Sequence, residues 1–131
     1  MQQSRQMLHR VFWGVVLGMA LLAPAQTTVW AETITISMKD RFFSPWRIVV
    51  KAGTTVQWMN DDTELHQVIS GRTIYDRDLW HPMNSGLMMW DTKYAYTFTK
   101  PGSYWYMCVI HSSLEDRLWE MGMIGEVVVV P

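Results

Sequence analysis

Residues 93–108, KYAYTFTKPGSYWYMC, read as two extended runs joined at Pro101-Gly102. Proline presets the φ of a turn and glycine tolerates the dihedrals that follow, so the chain reverses there. On both sides aromatic residues alternate with small or polar ones, which is strand spacing and not helical spacing. Successive strand side chains point to opposite faces, so Tyr104, Tyr106 and Cys108 share one face while Trp105 and Met107 share the other. The two tyrosines turn Cys108 inward, at the end of a core strand.

The same punctuation extends outward. TITISMK, from Thr33, sets Ile34, Ile36 and Met38 on one face, and RIVVKAGTTVQWMN, from Arg47, gives two runs divided at Gly53, with Val56 and Trp58 as a same-face pair. His66–Ser70 is a short apolar strand that stops at Gly71, and GEVVVV is a β-branched run ended by Pro131. Residues 71–93 and 112–122 read as irregular or helical. Short strands with Gly and Pro at the turns predict an all-β sandwich or barrel, and 131 residues suffice for one such domain.

The first 31 residues are of another kind. Arg5, His9 and Arg10 precede an apolar run from Val11 to Ala23 and then small residues, the pattern of a secretory signal cut before Glu32. The run is shorter than the roughly 20 residues of a spanning helix, and it holds no cysteine to carry a lipid. The expected organisation is a signal peptide over 1–31 and one domain over 32–131, periplasmic or otherwise exported, soluble and monomeric, with no stable membrane insertion after cleavage. The signal takes two of the eleven basic residues and none of the twelve acids, leaving a net charge of −3 with neutral histidines. No basic stripe points to nucleic acid.

Export sends thiols to a compartment where they pair, yet Cys108 is the only cysteine. It is therefore buried, paired with another chain, or used. His111 follows it by three residues, His66 ends the loop NDDTEL, and Met121 and Met123 lie just beyond. A thiolate, two imidazoles and a thioether form a ligand set that suits copper. The remaining candidates have plainer readings: His81 as a loop residue, Met83, Met88, Met89, Trp80 and Trp90 as core packing or an apolar docking patch, and Glu115, Asp116 and Glu120 as solvated charges.

In their order and spacing these segments resemble the cupredoxins, the small blue-copper family, and especially its plastocyanin and pseudoazurin branch. The resemblance rests on FFSPWRIVVKAGTTVQWMNDD (42–62), NDDTELHQV (60–68), YTFTKPGSYWYMCVIH (96–111) and MIGEVVVV (123–130). It implies a Greek-key β-sandwich and one mononuclear copper, with His66, Cys108 and His111 as equatorial ligands and Met123 as the weak axial one. Gly125 follows Met123 at the family's two-residue interval; Met121, with Gly122 directly behind it, is the alternative. Two departures stand out. SSLEDRLWEMG (112–122) is longer than the loop usual in this branch and adds a short helical or irregular insertion, with Leu114, Leu118 and Met121 on one side. Gln67 stands where an asparagine commonly ties the ligand loops together.

The resemblance implies a carrier of single electrons between a redox donor and an acceptor, with His111 as the electron's exit and Leu114, Leu118 and Trp119 around it as a docking area. It implies no enzyme: a copper reductase or oxidase needs further domains, a two-copper centre needs a second cysteine, and no helix N-terminus marks Cys108 as a nucleophile. Copper delivery or sequestration is the competing reading, motivated by the eight methionines after residue 31 and the altered loop.

Overall fold

A computed structural model describes residues 32–112 and 122–131. Nine strands follow in order: β1 Thr33–Lys39, β2 Phe42–Ser44, β3 Arg47–Lys51, β4 Thr55–Asn60, β5 His66–Ser70, β6 Asn84–Met88, β7 Lys93–Thr97, β8 Gly102–Met107 and β9 Ile124–Val130. One sheet has the order β2-β1-β4-β7 and the other β3-β9-β8-β5-β6. The expected all-β sandwich is what the chain forms. Among the described residues, no helix is long and apolar enough to cross a membrane.

Two of the neighbouring pairs are parallel, β1 with β4 and β3 with β9, so the chain crosses between sheets and does not run as a simple meander. One core lies between the sheets. Ile36, Met38, Phe43, Val56, Trp58 and Phe98 meet Val50, Val68, Met88, Tyr106, Val127 and Val129 there. Of the faces read from period two, Ile36, Met38, Val56, Trp58, Tyr106 and Cys108 are buried and Ile34 and Tyr104 half-buried against the core, while Met107 on the opposite face of β8 is buried too. Aromatic rings lock the middle, with Trp58 edge-on to Tyr106 at 5.2 Å and Phe43 edge-on to Tyr106 at 4.7 Å.

Residues 71–93 differ from the expected irregular or helical segment, because they contain β6. It is a short edge strand with Asn84, Gly86 and Leu87 exposed, and its pairing with β5 shifts register between Gln67 and Ile69. A strand so polar and interrupted carries little period-two signal. Met83 and Met88 at its ends are buried in the core, whereas Trp80, Met89 and Trp90 are exposed.

Strands β8 and β9 carry the chain into the functional end, and their register explains one glycine. Tyr106 pairs with Gly125, and a Cβ at position 125 would collide with the Tyr106 ring and hydroxyl. The ring lies where that side chain would be, held by Trp58 and Phe43. Gly125→Ala is therefore expected to cost about 1–3 kcal/mol through overpacking. Urea denaturation of the metal-free protein measures this, and an unmoved midpoint would mean that the tyrosine yields freely.

Candidate metal centre

The candidate ligand side chains come from strand ends. His66 opens β5 and is fully buried; Cys108 follows β8 and is fully buried; a 3-10 turn over Val109–His111 then delivers His111. The turn is closed by the His111 amide donating to the Cys108 carbonyl at 3.2 Å and Ser112 to Val109 at 3.3 Å. Met123, just before β9, is stitched to both neighbours: Cys108 N donates to Met123 O at 3.0 Å, and Met123 N donates to His111 O at 3.3 Å. The Met123 side chain is buried and packs in the core cluster that includes Cys108.

One ligand atom from each of His66, Cys108 and His111 falls within 4.8 Å of the others. The two Nδ1 atoms are 3.1 Å apart, and Cys108 Sγ is 3.6 Å from His111 Nδ1. Donors that share one ion at roughly 2.0–2.3 Å stand no more than about 4.6 Å apart, so both separations suit a common ion.

The outer edges of the rings decide what the inner edges present. His66 Nε2 lies 3.0 Å from Asp62 Oδ2, and His111 Nε2 lies 3.1 Å from Glu64 Oε2. A carboxylate only accepts, so the hydrogen bond to Asp62 puts the His66 proton on Nε2 and leaves its Nδ1 a lone pair, while the charge of Glu64 beside His111 Nε2 favours the same tautomer there. Two lone pairs facing at 3.1 Å beside a sulfur repel unless a cation lies between them. The donor set therefore fits a metal ion, and its softness fits copper.

Charge follows the same plan. Burial and the neighbouring His66 imidazole hold His111 below the ordinary histidine range, with Glu64 opposing, so the ring is neutral and ready to donate. Burial pushes the Cys108 thiol up, against backbone N–H groups of Gln67, His111 and Ile110 that favour the thiolate. A thiol protonated at neutral pH would release its proton to solvent on binding a metal, and those amides are already aimed at the sulfur. Asp62 is lowered although burial alone would raise it, because His66 and the backbone of Glu64 and Asp40 hydrogen-bond to it.

Asn60 ties the loop that holds His66. Fully buried, it donates from Nδ2 to the carbonyls of Glu64 at 2.8 Å and Met88 at 3.0 Å, and its Oδ1 accepts from Asp62 N at 3.0 Å. Gln67 is buried, and its backbone N–H serves the Cys108 sulfur.

His66, Cys108 and His111 are thus brought together, Met123 is bonded to the same turn, and His81 is exposed in a distant loop. Met121, Leu114, Leu118, Trp119 and the acids 115, 116 and 120 lie outside the described residues, as does the expected insertion that contains them. Asn60, Asp62, Glu64 and Arg41 were not singled out by sequence reading. Their signal was the spacing of Asp62, Glu64 and His66 at two-residue intervals, hidden because acids in a loop read as solvated.

A model of the copper binding proteins, plastocyanin/azurin family, matches residues 31–130. The chain belongs to that family. Amicyanin of Paracoccus versutus is 28% identical to this cupredoxin over 94 residues, covering 72% of this chain and 69% of that protein. The solved Cu(I) form of an amicyanin variant is 26% identical with a TM-score of 0.60, covering 79% of this chain and 87% of that one. A purple cupredoxin from Nitrosopumilus maritimus, 24% identical with a TM-score of 0.58 over 74% of this chain and 99% of that one, shares the fold. Copper is the cofactor of this cupredoxin, and the grouped His66, Cys108 and His111 suit one ion of it.

Because Asn60 fastens the loop with three bonds, Asn60→Ala leaves the buried Met88 carbonyl and the part-buried Glu64 carbonyl without that donor. The expected loss is about 1–3 kcal/mol. Denaturant unfolding reads the loss, and faster amide exchange at residues 62–66 locates it; unchanged exchange there would show that the loop holds without Asn60.

Proposed function

We propose that this cupredoxin is an exported carrier of single electrons, with His66, Cys108 and His111 as equatorial copper ligands and Met123 as the weak axial one. The observation that carries the reading is the pair of imidazole lone pairs and the buried thiol converging with the outer ring edges already held. Copper supplies the one-electron couple, Cu(II) plus one electron giving Cu(I). The chain keeps the donors in a single arrangement for both charge states, which limits reorganisation, and excludes water from the thiolate.

His111 is the ligand nearest to solvent and is the electron's exit in this reading, preceded in the chain by the exposed Ile110. The partners are a redox donor and an acceptor protein, met through a small contact that releases quickly. Residues 1–31 act as the export signal, so the working protein is residues 32–131, a soluble monomer.

Copper delivery or sequestration is supported less well. Met38, Met83, Met88 and Met107 are buried in packing and Met123 is the proposed axial ligand, so five of the eight methionines after residue 31 are not displayed as an open copper(I) site. A nucleophilic enzyme is supported less again, since Cys108 is closed to solvent and its thiol is raised by burial.

Visible absorption and electron paramagnetic resonance with one equivalent of Cu(II) test the reading. The expected result is an intense thiolate-to-copper band that bleaches reversibly on reduction, is lost in Cys108→Ser, and shifts in Met123→Leu. A colourless protein that takes up only Cu(I) would replace the carrier with delivery or sequestration.

A further inference from the structure

The β1–β2 turn does more than reverse the chain. Lys39 pairs with Phe42, so Asp40 and Arg41 form a two-residue hairpin turn, with φ of 54° and 62°. Both are left-handed, a conformation that favours Gly and Asn, and an arginine there is held against its preference. Such a residue is kept where its side chain has work elsewhere.

Each turn residue braces the carboxylate behind one histidine. Asp40 N donates to Asp62 Oδ2 at 2.9 Å, and the same oxygen lies 3.0 Å from His66 Nε2. Arg41 forks onto Glu64, Nε to Oε2 at 3.0 Å and Nη2 to Oε1 at 3.2 Å, and Glu64 Oε2 lies 3.1 Å from His111 Nε2. The guanidinium's planar fork fixes the carboxylate in two directions.

We propose that Arg41 and Glu64 form a clamp on His111, positioning residues that aim its Nδ1 at the copper site and set the balance between Cu(II) and Cu(I). The inference rests on the reading of His111 as a copper ligand. The Glu64 carboxylate behind the imidazole brings negative charge near the metal, which favours the ion of higher charge. Arg41 offsets part of that charge while it orients the carboxylate. The two residues therefore pull the couple in opposite directions, although they touch each other.

The test uses the copper-loaded protein with Glu64→Gln and Arg41→Gly, reading the reduction potential by protein-film or mediated titration and the thermal midpoint of each metal-free form. Glu64→Gln is expected to weaken Cu(II) binding relative to Cu(I) about tenfold, raising the potential by about 59 mV. Arg41→Gly is expected to lower the potential by a smaller shift that grows at low salt, because the guanidinium is exposed and screened. Its metal-free midpoint stays level or rises, since glycine relieves the left-handed backbone.

A shift below twofold in Glu64→Gln, shifts of the same sign in both variants, or lower midpoints with unmoved potentials would overturn the clamp. An unsubstituted protein with no reversible copper couple would overturn the ligand reading together with it. A normal couple there, with unmoved variants, would overturn the clamp alone.

Discussion

Two imidazole nitrogens facing each other at 3.1 Å, with a buried thiol beside them, is an arrangement that a protein cannot hold for nothing. Without a cation the lone pairs repel, and the polar atoms lack the water that would solvate them. The frame must keep the rings from turning away. It does so from outside the site, by giving each Nε2 a carboxylate and each carboxylate further partners. Rotation of either ring would break its contact to Asp62 or Glu64 and give up the charge support behind it. The metal site is thus specified by bonds pointing away from it.

The sheets supply the other half of the constraint. β8 and β9 run antiparallel up to Met107 and Ile124, and the ladder is prolonged by the bond from Cys108 N to Met123 O. Cys108 therefore inherits the inward direction of Tyr106 two residues before, and Met123 inherits a fixed place across from it. The close pairing of Tyr106 with Gly125 sets how tightly these strands approach, and Trp58 backs that ring from the opposite sheet. Core packing and ligand placement are one problem here, solved by the same tyrosine.

Most of this was legible in sequence wherever a strand has one buried face. Period two gave the inward residues Ile34, Ile36, Met38, Val56, Trp58, Tyr104, Tyr106 and Cys108, all of which are buried except Ile34 and Tyr104, half-buried against the core. The Cys108-x-x-His111 spacing and the His66 loop marked the residues that meet. What escaped reading was what pattern does not encode. β6, an edge strand with glycine and asparagine, has no apolar alternation to detect. Asp62, Glu64 and Arg41 are ordinary surface residue types whose meaning comes only from a hairpin turn folding against a loop some twenty positions away. Asn60, whose side chain reaches two carbonyls and an amide around the His66 loop, likewise has no pattern that marks it as a fastening.

The distribution of access then separates the functions that such a site allows. Chemistry on a bound substrate needs an open position and an exposed nucleophile, and Cys108 and His66 are both shut from solvent. An electron needs neither; it needs a ligand near the surface and a metal whose surroundings do not rearrange. His111 meets the first requirement, since its ring is the least covered of the three. Its outer nitrogen faces Glu64, so the charged pair of Glu64 and Arg41 stands at the mouth of the proposed exit. A partner approaching that ring meets a fixed dipole before it meets the imidazole, which joins the orientation of the ligand to the recognition of what docks on it.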